Sequence, residues 1–202
     1  MIKDSFNKIY WGFIIVLFNI NIGPINLMPD FIGYLLMSSG LYEIINKFES
    51  KSLNKAKSII NFLFVYTLFN SIFEFIGFED LFISYSNNDF YYNFISYKSV
   101  IDISLTMFIS LAKLLATFKI LSGSIELYLY SEQQFKAETM ERSQRSYTVM
   151  SLIGLFAITI SLNISNEYFS VGAAVFLIGV YIYYAVLLRR IRNDFNEPLM
   201  ED

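Results

Sequence analysis

The sequence predicts an all-α fold: a polytopic helical bundle embedded in a membrane, with about six transmembrane helices forming one domain over residues 1–202. Three observations lead there. Hydrophobic residues make up 55% of the chain and charged residues only 16%. The mean hydropathy is +0.47, well above that of a soluble domain of this size. The apolar residues also gather into six stretches, and a span needs about 20 residues to cross about 30 Å of hydrocarbon. Six spans therefore use about 120 residues and leave no room for a separate soluble domain.

The stretches cover residues 6–22, 29–45, 59–78, 100–121, 147–164 and 169–188. The first follows Lys3 and Lys8, as a secretory signal would, but it runs on into Asn21-Ile22-Gly23-Pro24 with no small-x-small cleavage pattern and reads as retained. The second opens at Pro29 and Asp30, because proline is tolerated in a first helical turn and a carboxylate is favoured at the positive end of the dipole. Gly33 and Gly40 fall seven apart on one face, which allows a neighbouring backbone to come close.

The third stretch carries a narrow polar stripe of Thr67, Asn70, Ser71 and Glu74. On the fourth, Ser99, Asp102, Thr106, Ser110, Lys113 and Thr117 fall within an arc of about 80° at 100° per residue. These two stripes are expected to face each other. Asp102 and Lys113 lie roughly 16 Å apart along the helix and cannot pair directly, whereas Lys98, Asp102 and Glu74 form an expected interfacial cluster. Lys113 costs about 2.5–3.5 kcal/mol in the membrane unless it meets a partner or a hydrated cavity.

Residues 122–146 read as a cytoplasmic helical connection, with Glu132 before Lys136, Glu138 before Arg142 and Glu141 before Arg145 at i, i+4 spacing. The last two stretches follow it and hold no midspan charge. Thirteen of the fifteen basic residues flank alternate ends of the six stretches, which places both termini in the cytoplasm and the chain in the cell membrane.

The first hairpin either spans or is re-entrant. In the re-entrant case Pro24, Asn26, Pro29 and Asp30 become candidate pore residues, their freed backbone groups satisfied by protein or water. The string Pro29-Asp30-Phe31-Ile32-Gly33-Tyr34 after the first apolar segment resembles small multi-pass membrane proteins of Gram-positive bacteria whose molecular function is unassigned. The resemblance covers this hairpin alone and implies a membrane location; it implies no activity. Heavy use of Ile, Asn, Lys, Phe and Tyr fits an AT-rich bacterial coding sequence.

The chain has no cysteine and no histidine, which removes disulfides, thiolate nucleophiles, Cys/His zinc sites, axial haem histidines and imidazole catalysis together. A formal charge of −3 and a pI near 5.1 disfavour a nucleic-acid partner. No Walker motif, GxSxG, HExxH or acidic metal pair is present, so no cofactor or metal is expected and a membrane enzyme is the third reading, behind the two that follow. The function expected first is a non-catalytic, membrane-embedded interaction or assembly component, its partners the lipid bilayer and either a second copy or another membrane protein. The alternative is a transporter or channel-like protein for a small solute or ion, with a polar path through Lys113, Asp102, Glu74, Thr106, Ser110 and Asn70.

Overall fold

The computed structural model describes residues 2–18, 21–22, 25–26, 29–76, 88–161 and 167–195, with the backbone alone described at 21–22, 25–26, 74–76, 88–103 and 167. Among the described residues there are six helices: α1 (Ile2–Leu17), α2 (Asp30–Ile45), α3 (Lys51–Ile76), α4 (Asn88–Tyr130), α5 (Gln134–Ser161) and α6 (Glu167–Asp194). Two short antiparallel strands, β1 (Asn21–Ile22) and β2 (Ile25–Asn26), join α1 to α2, with Asn21 opposite Asn26 and Ile22 opposite Ile25.

Three helices carry segments long and apolar enough to cross a membrane: Lys51–Phe73, Ser104–Tyr130 and Tyr168–Asp194. The others fall short for separate reasons. At 16 residues each, α1 and α2 extend about 24 Å at about 1.5 Å per residue, less than a full hydrocarbon core. Helix α5 is 28 residues long, but Lys136, Glu138, Glu141, Arg142 and Arg145 occupy its first half.

The outward faces bear out a membrane setting in their chemistry. Phe62, Val65, Phe69 and Ile72 on α3 are exposed, as are Val171, Val175, Ile178, Ile182 and Val186 on α6. Spacings of three and four put each set on one stripe. A contiguous apolar surface of this extent is what lipid contact requires.

Each helix packs on the next, and α6 returns to α1, closing a ring. Neighbours run antiparallel: Gly12 meets Gly33 while Ser5 meets Gly40, and Phe13 meets Tyr184 while Phe6 stacks on Phe195. Both ends of the described chain therefore lie at one end of the ring, called here the terminal end. The α1–α2 contact is backbone to backbone, because Gly12, Gly33 and Gly40 all face the partner helix, where any Cβ would strike a carbonyl oxygen. The close approach expected of Gly33 and Gly40 is made to α1.

The terminal end is the tightly packed one. Phe6, Ile9, Leu41, Ile44, Leu53, Ile120, Leu121, Tyr128, Leu188 and Ile191 are almost wholly buried there. Polar groups lock its rim. Glu43 receives hydrogen bonds from Lys8 and Ser5 across α1 and α2. Glu126 of α4 accepts from Ser50 and Ser52, and Ser50 Oγ also caps α3 by accepting from the Leu53 amide at 3.1 Å. Asp194 accepts from Tyr128 Oη at 2.7 Å and lies 3.7 Å from Lys136 Nζ, so α6 is held to α4 and α5 together.

Residues 122–146 are helical and extend the helices on both sides, with a turn between them. Helix α4 runs through Tyr130, the chain turns at residues 131–133, and α5 begins at Gln134. Glu132 sits in that turn with φ of 57°, so the expected Glu132–Lys136 pair is lost and Lys136 turns to Asp194 instead. Of the three expected pairs in this segment, only Glu141–Arg145 forms, at 2.5 Å.

Candidate functional site

A cavity of about 110 Å³ lies on the ring axis, and every helix contributes to its wall. The reason is geometric: six helices around one axis cannot all touch at the centre, so large side chains must fill the middle or leave a space. At the terminal end the side chains named above fill it. Further along, the wall consists of Phe13, Val16 and Leu17 from α1, Met37 from α2, Ile60 and Leu63 from α3, and Leu155 and Leu177 from α5 and α6.

Polar groups enter this apolar chamber from four helices. Ser110, Lys113 and Thr117 come from α4, Tyr34 from α2, Tyr147 and Ser151 from α5, and Tyr181 from α6. Thr117 Oγ1 bonds to the backbone carbonyls of Lys113 and Leu114 at 3.1 and 2.8 Å and lies 3.0 Å from Tyr147 Oη, so both hydroxyls are occupied. Tyr34 and Ser151 differ. They are 3% and 5% exposed; Ser151 shares a hydrogen bond with the Tyr147 hydroxyl, whereas Tyr34 Oη has no hydrogen-bond partner among the described residues. A buried hydroxyl left unsatisfied costs on the order of 1–3 kcal/mol.

Lys113 Nζ stands 3.8 Å from Asp30 Oδ2. This is longer than the roughly 2.7–2.9 Å of a charge-assisted hydrogen bond, so the two attract without a tight bond. The lysine side chain is 34% exposed and the aspartate 18%. Asp30 is the first residue of α2, capped by Pro29, whose carbonyl accepts from the Ile32 amide at 3.0 Å. Lys113 is therefore level with the start of α2, the end of the ring opposite the chain termini.

The structure thus joins two sets of candidate residues that the sequence keeps apart, Lys113 of the polar path and Asp30 of the hairpin. Ser110 lines the cavity, while Thr106 and Asn70 are exposed. The stripe on α3 does not supply the chamber: Thr67 returns its hydroxyl to the Leu63 carbonyl at 2.8 Å, and α3 offers Ile60 and Leu63 instead. The side chains of Glu74 and Asp102, all of Lys98's side-chain surroundings and the whole of Pro24 lie outside the described residues, and Asn26 is described in its backbone alone.

No known family, curated protein or solved structure matches this chain. What the site can do is set by its own groups.

Sequence reasoning missed Tyr34, Tyr147, Ser151 and Tyr181, which are four polar residues among many on apolar helices. A signal for the Lys113–Asp30 pair does exist. Asp30 lies 15 residues before the end of α2 and Lys113 lies 17 before the end of α4, roughly 22 and 26 Å above the terminal end at about 1.5 Å per residue. Charges at equal height in one ring can meet.

Proposed function

We propose that this chain is a multi-pass protein of the cell membrane that binds a small solute in the axial chamber, in the manner of a transporter. In this reading all six helices sit in the membrane with both termini cytoplasmic, as the placement of the basic residues predicts. The observation that carries the proposal is the chamber itself: a cavity to which every described helix contributes, with Tyr34 offering a buried hydroxyl that has no partner among the described residues. A void that served packing alone would stay apolar, since orphaned hydroxyls there only cost stability. The pairing of Asp30 with Lys113 supports the same reading, because a charge pair held at 3.8 Å beside a cavity leaves room for a third group. The assembly role expected from sequence draws on the exposed apolar faces, and lipid covers those equally well.

Ser151→Leu tests this by filling the chamber without adding charge. The protein in lipid nanodiscs is heated with a panel of small organic acids, alcohols and amines. A compound present at 100 times its Kd raises stability by about 2.7 kcal/mol. At least one class is expected to raise the unfolding midpoint of the native chain and to lose that effect in Ser151→Leu. Equal effects on both proteins, or none on the native chain, would refute a solute site in the chamber.

A further inference from the structure

The chemistry of the chamber wall narrows what it binds. Most of the wall is aliphatic or aromatic, so the occupant presents an apolar body. One charged side chain, Lys113, is part of the wall, while its countercharge Asp30 is not. Lys113 therefore presents an ammonium to the cavity, partly balanced by Asp30 at 3.8 Å, which favours an anion over an amine. Tyr34 Oη, which has no acceptor among the described residues, is available to donate from α2, while Ser151 lines the wall from α5 already bonded to Tyr147. A carboxylate has two oxygens and about four acceptor sites, so it can accept from the ammonium and from the Tyr34 hydroxyl together.

Size sets the length of the body. The cavity of about 110 Å³ is of the same order as the roughly 150 Å³ that accepts benzene in a protein core, and butyrate has the same six heavy atoms as benzene. Building on the solute-binding reading above, we propose that the ligand is a short-chain aliphatic monocarboxylate, bound with its carboxylate on Lys113 and Tyr34 and its alkyl chain against Phe13, Leu63 and Leu177. Asp30 is a positioning residue, holding the ammonium at the chamber wall. A doubly charged acid does not fit, because the wall has one cation for it and the second charge would be buried without a partner.

The probe is radiolabelled butyrate, measured by equilibrium binding to the protein in nanodiscs of zwitterionic lipid, with butanol and butylamine as labelled comparators of equal chain length. Saturable butyrate binding is expected, displaced by unlabelled butyrate and not by butylamine. Lys113→Gln is expected to weaken it about tenfold or more, and Tyr34→Phe by about three- to tenfold, as loss of an ionic and a neutral hydrogen bond respectively imply. Lys113→Arg keeps the charge and is expected to retain saturable binding. Tyr42→Phe, at an exposed tyrosine outside the chamber, is expected to leave binding unchanged.

Butyrate binding that is insensitive to folded Lys113→Gln and to Tyr34→Phe would overturn the proposal. If Lys113→Gln does not fold, Lys113→Arg and Tyr34→Phe decide the matter. Binding of butanol or butylamine in place of butyrate, abolished by Ser151→Leu, would overturn the carboxylate assignment and leave the chamber as a solute site. Binding of none of the three would remove the monocarboxylate, and failure of the wider solute panel would remove the site as well.

Discussion

Gly33→Ala tests the backbone seam between α1 and α2. A Cβ at this position would lie 2.5 Å from the Gly12 carbonyl oxygen and 2.6 Å from Val16 Cγ2. Comfortable carbon contacts begin near 3.5 Å, so the helices must part by about 1 Å or Val16 must move. Forcing a methyl group into a packed contact costs about 1–3 kcal/mol. Against this, alanine gains about 0.5–1 kcal/mol over glycine in a helix interior. The net is a destabilisation of about 1–2 kcal/mol, which for a chain of this size lowers the midpoint by about 2–8 °C. Gly179→Ala on α6 is the control, because a Cβ there meets nothing within 4 Å. Only the propensity gain remains, so that midpoint rises by about 1–4 °C. The assay is loss of helical circular dichroism in nanodiscs, alongside the fluorescence of Trp11, the single tryptophan and the neighbour of Gly12. The double variant Gly12→Ala/Gly33→Ala should cost less than the sum of the two, since the first methyl already separates the backbones. If Gly33→Ala raises the midpoint as Gly179→Ala does, the seam is not a backbone contact and the reasoning is refuted.

Three further outcomes are expected. Lys113→Leu should destabilise the protein by about 1–2 kcal/mol because Asp30 loses its countercharge, and adding Asp30→Asn should restore part of this; equal midpoints for Lys113→Leu and the native chain in thermal unfolding would contradict the pairing. Glu132→Gly should stabilise by about 1 kcal/mol, since the turn between α4 and α5 holds this residue at φ of 57°, where glycine is not penalised; a lowered denaturation midpoint would show that the glutamate side chain matters there. In intact cells, Asn87→Cys should react with an impermeant thiol reagent and Gln134→Cys should not, and the reverse pattern would invert the orientation proposed from the basic residues.

How far the sequence could be read depends on which information is local. The helices follow from apolar periodicity and from breakers such as Pro29 and the polar linker before Lys51, and α2 begins at Asp30 as its proline and carboxylate predict. The glycine face of α2 was also visible, because Gly33 and Gly40 differ by two helical turns and any neighbour must use that spacing. The chamber was not visible. Its walls are ordinary Phe, Leu, Ile and Val residues, and which of them face the axis is decided only when α6 closes on α1. The polar stripe of α4 pointed to Ser110, Lys113 and Thr117, yet the partner of Lys113 lies on another helix, so spacing within one element could not reveal it. The Glu132–Lys136 pair failed for a related reason: i, i+4 counting presumes a continuous helix, and a left-handed residue interrupts it.

Ring closure also governs the order of assembly during synthesis. Arg192 bonds to Asn7 at 3.1 Å across 185 residues of sequence. At about 5–20 residues per second, roughly 10–40 s separate the emergence of the two. Helices α1 and α2 can zip along their glycine seam as soon as both are made, but the face of α1 that receives α6 waits for Tyr184, which meets Phe13, and for Phe195 just after α6, which meets Phe6. During that interval the nascent bundle is an open arc with two unpaired edges, each complementary to the other and therefore to the same edge on a second nascent chain. A chain that ends before Tyr181 lacks the contacts of Tyr181 and Tyr184 with Phe13 and of Arg192 with Asn7, keeps that arc open, and is exposed to exchange of α6 with a complete copy.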